Sequence, residues 1–157
     1  MSYERVLVPI DFSDDSLNAL NKAMTEFAKP SSTIVLLHVV DAGSEEANAL
    51  SQGRMQAVSR GTISPDEVPG TAPLPTAVRL KQLQDLAAPH ASKCKQLDVQ
   101  VAVGQPTEKI IEAVTANAIN LVIMGSHGTG GLGKMLFGST TYDVARKVRC
   151  SVLISKR

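Results

Sequence analysis

Tryptophan is missing, and aromatic residues make up only 3% of the chain. That scarcity leaves little from which to build a flavin sandwich, a base-stacking aromatic platform or a sugar-binding surface. Charge of one sign is also lacking: 16 Lys and Arg face 15 Asp and Glu, for a net charge of +1. Neither nucleic acid nor an anionic membrane surface is an expected partner on that balance. No apolar run approaches the roughly 20 residues that span a bilayer, so a membrane location is not expected either. The N-terminal MSYERVLVPIDFS has no charged start followed by an apolar stretch and a small-residue cleavage site, so no targeting segment is expected. The two cysteines, Cys94 and Cys150, stand apart without CxxC or metal-ligand spacing. They read as reduced thiols, with the cytoplasm as the expected compartment.

What is present suits a single domain over 1–157. A chain of 157 residues with 43% apolar and 20% charged residues can bury one good core. Five short segments are rich in Val, Ile and Leu: Val6–Ile10, Thr33–Val40, Val99–Val103, Leu121–Met124 and Ser151–Ile154. Their apolar character is continuous rather than alternating, as in strands of a parallel sheet covered on both faces.

Helical patterns lie between these segments. Leu17, Leu20, Ala23, Met24, Phe27 and Ala28 form one stripe behind Ser13, Asp14 and Asp15, which supply a cap and acidic first turn, and the helix should stop before Pro30. A second stripe runs Leu80, Leu83, Ala87, His90, Cys94 and Leu97, with Pro89 expected to kink or split it. A third starts at Pro106 and places Ile110, Ile111, Val114 and Ala118 together. The last spans about Ser139 to Arg149, with Val144, Ala145 and Val148 inward. Strand and helix alternation of this kind implies an α/β fold, an open doubly wound parallel sheet with helices on both faces. Between Asp41 and Pro75 the chain is rich in Gly and Pro. That stretch reads as a flexible insertion with room for one short helix near Glu45–Val58.

Ligands of such sheets bind beyond the carboxyl ends of the strands. Three ends carry candidate residues: Pro9-Ile10-Asp11-Phe12-Ser13, His38-Val39-Val40-Asp41, and Met124-Gly125-Ser126-His127-Gly128. Six of the chain's 11 glycines fall between Gly125 and Gly138, where close backbone approach would suit a phosphate. Gly138-Ser139-Thr140-Thr141 then opens a helix whose N–H groups and hydroxyls suit an anion. Gly128 to Lys134 imitates the start of a Walker A loop, but Met135 stands where Ser or Thr should hold Mg²⁺. Asp11 has two readings, a ligand contact and a local role as helix cap or turn residue. Ser13 reads as an N-cap and His38 as a packed core residue. His127 is the only histidine near the proposed phosphates, and no spacing among the three histidines marks a metal site.

The string Gly125-x2-Gly128-x9-Gly138-Ser139 resembles the ATP-binding signature of universal stress proteins. Val6–Ser13, Leu37–Val40 and Leu121–Gly128 resemble that family's other strand-end blocks. This resemblance spans nearly the whole chain. It implies a Rossmann-like sheet, close to the adenine nucleotide alpha hydrolases, in the order 3-2-1-4-5. It also implies ATP across strands 1, 2 and 4. Pro9 and Asp11 would face the adenosine, the Val39 backbone the adenine edge, and Met124 and Gly125 the ribose. Gly128, Gly138, Ser139 and Thr140 would hold the phosphates beside His127, with any Mg²⁺ or Mn²⁺ held by phosphate and water. A homodimer through the C-terminal strand, Ser151 to Ile154, is implied as well. Three positions depart from the family pattern: Thr129 replaces a common arginine, Asn120 a common Asp, and Arg149-Cys150-Ser151 lacks a proline.

The function expected is that of an ATP-binding stress-response sensor or adaptor with an unidentified protein partner. The alternatives are a slow ATPase and a dimeric scaffold that binds no nucleotide. No HxGH-like or SGGxDS-like string of adenylyl transfer occurs, and no catalytic residue is nominated.

Overall fold

A computed structural model describes residues 2–41, 74–127 and 137–156. Strand β1 (Arg5–Pro9) leads into helix α1 (Asp14–Lys22), which ends in a π-turn at Ala23–Phe27. Strand β2 (Thr33–Asp41) follows, then helix α2 (Leu74–Ala87) with a 3₁₀ extension at Ala88–Lys93. The remainder is β3 (Gln96–Gly104), α3 (Pro106–Ala116), β4 (Leu121–Gly125), α4 (Ser139–Lys147) and β5 (Ser151–Ser155). All neighbouring strands pair in parallel, in the order β3-β2-β1-β4-β5.

The apolar runs sort by side-chain alternation onto the two faces. Val6, Val8, Ile34, Leu36, Leu121 and Ile123 pack under α1 and α2 with Leu20, Met24, Leu83 and Ala87. Leu7, Val35, Leu37, Val122 and Met124 pack under α3 and α4 with Ile110, Ala113 and Val144. Burying each large aliphatic side chain contributes about 1.5–3 kcal/mol, which is why the three central strands read as unbroken hydrophobic sequence.

The edge strand β3 differs from that expectation. It begins at Gln96, three residues before the apolar segment, and it alternates. Leu97, Val99 and Val101 turn to the core, while Asp98 and Gln100 occupy the other face. Leu97 therefore belongs to β3, and the second helical stripe ends with Cys94. Pro89 changes the helix to 3₁₀ rather than ending it, because its ring removes one backbone donor without reversing the chain. In α4 the buried partner of Val144 is Thr141, three residues earlier, and Ala145 is exposed. Ile10 lies just past β1. Within the expected insertion, Asp41 is the last residue of β2 and Leu74–Pro75 open α2. The short helix expected near Glu45–Val58 falls outside the described residues.

Helix α3 closes with a paired hydrogen-bond motif: Ile119 N–H donates to the Val114 carbonyl at 2.9 Å and Ala118 N–H to the Thr115 carbonyl at 3.2 Å. This requires Ala118 at φ 48°, the left-handed position where glycine is usual. Ala118 is exposed, so Ala118→Gly relieves about 1–2 kcal/mol of strain against a loss of about 0.4–1 through the unfolded chain. A net gain of about 0.5 kcal/mol is expected, read as a rightward shift of the urea midpoint with unchanged slope.

Candidate functional site

The site is built where β1, β2 and β4 end and α1 and α4 begin. Asp11 accepts hydrogen bonds from the Ser13 amide at 3.0 Å and from its hydroxyl. The Ser13 oxygen in turn accepts from the Ser16 amide at 3.2 Å, capping α1. Both local readings made from sequence therefore hold: Asp11 shapes the turn, and Ser13 is the N-cap. Between them Phe12 takes a left-handed backbone, φ 64°.

Gly125 touches the first turn of α1. A Cβ at this position would lie 2.7 Å from the Asp15 carbonyl carbon and 2.8 Å from its Cβ, so only glycine lets β4 end against the helix. That approach lets Asp15 Oδ2 accept from Ser126 Oγ at 2.8 Å and from the His127 amide at 3.0 Å. Ser126 Oγ also lies 3.0 Å from His127 Nδ1. With its one proton donated to Asp15, the Ser126 oxygen accepts from Nδ1–H of His127, and in the neutral ring Nε2 is then the acceptor. The Gly138 amide donates to the Ser126 carbonyl at 2.8 Å, and Thr141 Oγ1 to the Gly125 carbonyl at 3.0 Å. These bonds fix the start of α4 beside the end of β4.

Gly138 is the N-cap of α4 and, as glycine, offers that helix no side-chain cap of its own. Its first-turn N–H groups, which have no partners within the helix, lie at a cleft of about 570 Å³, a size typical of small-molecule sites. Of the residues nominated from sequence, Pro9, Asp11, Val39, Met124, Gly125, His127, Gly138, Ser139 and Thr140 all line this cleft. Gly128 lies outside the described residues. Among those described, no group of three or more His, Cys, Asp or Glu side chains could hold a metal ion.

Several lining residues were not nominated. His38 closes the floor, 6% exposed, with Nδ1 2.7 Å from the Ile10 carbonyl. Arg79 reaches in from α2, and Pro106 and Ile110 from α3. Arg79 lies between Thr76 and Leu83, both buried on one face of α2, whereas the apolar stripe read from sequence starts at Leu80 and leaves Arg79 out. Of the departures from the family pattern, Asn120 lies at the other end of the sheet. Its Oδ1 accepts from the Arg5 backbone amide at 3.2 Å and its backbone N–H donates to the Arg5 carbonyl at 2.9 Å. Cys150 precedes β5 at that same end. Burial pushes both thiols, Cys94 and Cys150, above their ordinary pKa, which disfavours the nucleophilic thiolate.

Comparisons with known proteins agree with this architecture. The model of the Universal stress protein family matches residues 2–156. Universal stress protein YxiE of Bacillus subtilis is 28% identical over 152 residues, covering 97% of this chain and 98% of that one. The solved structure of MJ0577 from Methanocaldococcus jannaschii superposes with a TM-score of 0.76 at 24% identity, covering 100% of this chain and 98% of that one. A universal stress protein family protein from Arabidopsis thaliana with AMP bound gives a TM-score of 0.60 at 14% identity, covering 98% and 92%. The chain belongs to the universal stress protein family.

Proposed function

We propose that this chain is an ATP-binding regulatory protein of the cytoplasm, in which nucleotide occupancy adjusts how a homodimer meets its protein partner. The observation that carries the nucleotide reading is the start of α4, where the N-cap is a glycine without a capping side chain, at a cleft lined by strand ends from β1, β2 and β4. Helix N-termini of this kind favour phosphate through free N–H groups and the helix dipole. An AMP-bound relative of the same fold supports an adenine nucleotide. On this reading Ser139 and Thr140 add hydroxyl donors, Met124 and Gly125 border the ribose, Pro9 and Asp11 face the adenosine, and the Val39 backbone meets the adenine edge. A Mg²⁺ or Mn²⁺ would be held mainly by phosphate oxygens and water, since magnesium keeps several waters when it binds nucleotides.

Binding rather than turnover suits two carboxylates of this region, Asp11 and Asp15. Asp11 is engaged with Ser13, and Asp15 with Ser126 and His127, so both hold the loops in place. Acid denaturation of freshly purified protein, followed by chromatography of the supernatant, should release an adenine nucleotide; a supernatant free of nucleotide from protein that also binds none when it is added would overturn the reading.

The dimer would form along β5, which ends the sheet beyond β4. The Ser155 carbonyl accepts from Ser126 and so faces the β4 side. By alternation, the backbone groups of Ile154 face outward, where a second strand could pair. Ile154→Pro removes an outward N–H while sparing the β4 ladder. Sedimentation should show the wild type as a dimer and the variant as a monomer. A wild-type monomer, or a variant that remains dimeric, would exclude this interface.

A further inference from the structure

Arg79 lies on the buried stripe of α2 with Thr76 and Leu83, yet it lines the cleft. Its guanidinium carbon sits 5.1 Å from the centroid of the Phe12 ring. The Phe12 ring in turn packs against the imidazole of His38, centroids 5.0 Å apart. His38 is buried and tied through Nδ1 to the Ile10 carbonyl at 2.7 Å. Phe12 holds its place in a backbone conformation, φ 64°, that residues with side chains rarely adopt. Strained backbone persists where its surroundings enforce it, commonly at ligand sites. The result is a chain of contacts, the His38 and Phe12 rings tilted at 55° to each other and Arg79 over Phe12, assembled from the ends of β1 and β2 and one face of α2.

This cluster stands at the β2 side of the cleft, whereas α4 begins at the β4 side. Those strands flank β1, so the two sides are about 10 Å apart, two strand spacings. A nucleotide with its phosphates at α4 therefore extends its base toward Arg79. Guanidinium planes stack on nucleobases as aromatic rings do, and this chain has few aromatic residues to offer. We infer that Arg79, backed by Phe12, stacks on the base of the bound nucleotide and is the platform that positions its nucleoside end. The inference rests on the nucleotide reading above.

Adenosine, AMP and ATP distinguish a base contact from a phosphate contact, and Arg79→Ala and Arg79→Lys distinguish a plane from a charge. Calorimetric titration of both variants is expected to show all three ligands weakened by a similar factor, about tenfold, with lysine failing to restore affinity. Thermal melts confirm that each variant is folded under the titration conditions. A loss that grows from adenosine to ATP and is restored by lysine would overturn the inference, making Arg79 a phosphate ligand. Unchanged affinities in Arg79→Ala would also overturn it while leaving the nucleotide reading intact. Failure of the wild-type protein to bind any of the three ligands would overturn both.

Discussion

Replacing Gly138 with aspartate is expected to make the protein more stable and, at the same time, to weaken ATP binding by at least about a hundredfold. Gly138 sits at the N-cap of α4 with φ −63° and ψ 153°, an extended conformation open to any residue. Glycine at this N-cap brings no capping side chain, whereas an aspartate there can accept from the first-turn amides of Thr140 or Thr141. Capping and charge at the positive end of the dipole together contribute about 0.5–1 kcal/mol, or roughly 1–4 °C in melting temperature for a chain of this length. The same carboxylate would compete with the phosphates for those amides and repel them. Two like charges about 4 Å apart near a protein surface interact by about 4 kcal/mol, enough for the hundredfold loss. Gly138→Asn separates the two effects: it caps without charge and should retain more of the affinity than aspartate does. Melting curves and calorimetry on the same preparations check both halves. Wild-type affinity in Gly138→Asp would mean that the phosphates do not sit at α4.

The second large effect is structural. Gly125→Ala should destabilise the fold by about 2–3 kcal/mol, lowering the melting temperature by roughly 4–12 °C. The added methyl group would meet the backbone of Asp15 at 2.7 Å, and a helix backbone cannot turn aside as a flexible side chain can. Strand β4 and α1 must separate, which stretches the bonds from Asp15 to Ser126 and to the His127 amide. Since those bonds orient the loop at the end of β4, nucleotide affinity should fall as well. A variant as stable as the wild type would show that this contact tolerates a side chain.

These two glycines show how differently one sequence signal can act. Both belong to the spacing that resembles the ATP-binding signature, but in the structure Gly125 is needed for helix packing and Gly138 leaves a helix start open. The parallel sheet was legible because Val6–Val8, Ile34–Leu37 and Leu121–Met124 are buried on both faces, which forces continuous apolar runs. Strand β3 was legible only in part, since an edge strand buries one face and its alternation around Asp98 and Gln100 shortened the recognisable segment. Candidate residues at strand ends could be placed because chain order and strand polarity bring them to one side of the sheet. Asp15 and Arg79 could not be found that way. Asp15 reads as ordinary first-turn chemistry, and its bonds to Ser126 and His127 span more than a hundred residues of chain. Arg79 follows a Gly- and Pro-rich stretch, so the register of α2 against β2 had no anchor in the sequence.

Nucleotide binding at the α4 end of the cleft is decided by calorimetric titration of the purified wild-type protein with ATP, with and without Mg²⁺. Saturable binding at one site per chain is expected, weakened at least about a hundredfold in Gly138→Asp. Absence of binding heat for ATP, ADP, AMP and cyclic AMP at several temperatures, from protein that carries no nucleotide, would contradict it and leave self-association and partner recognition as the function of this fold.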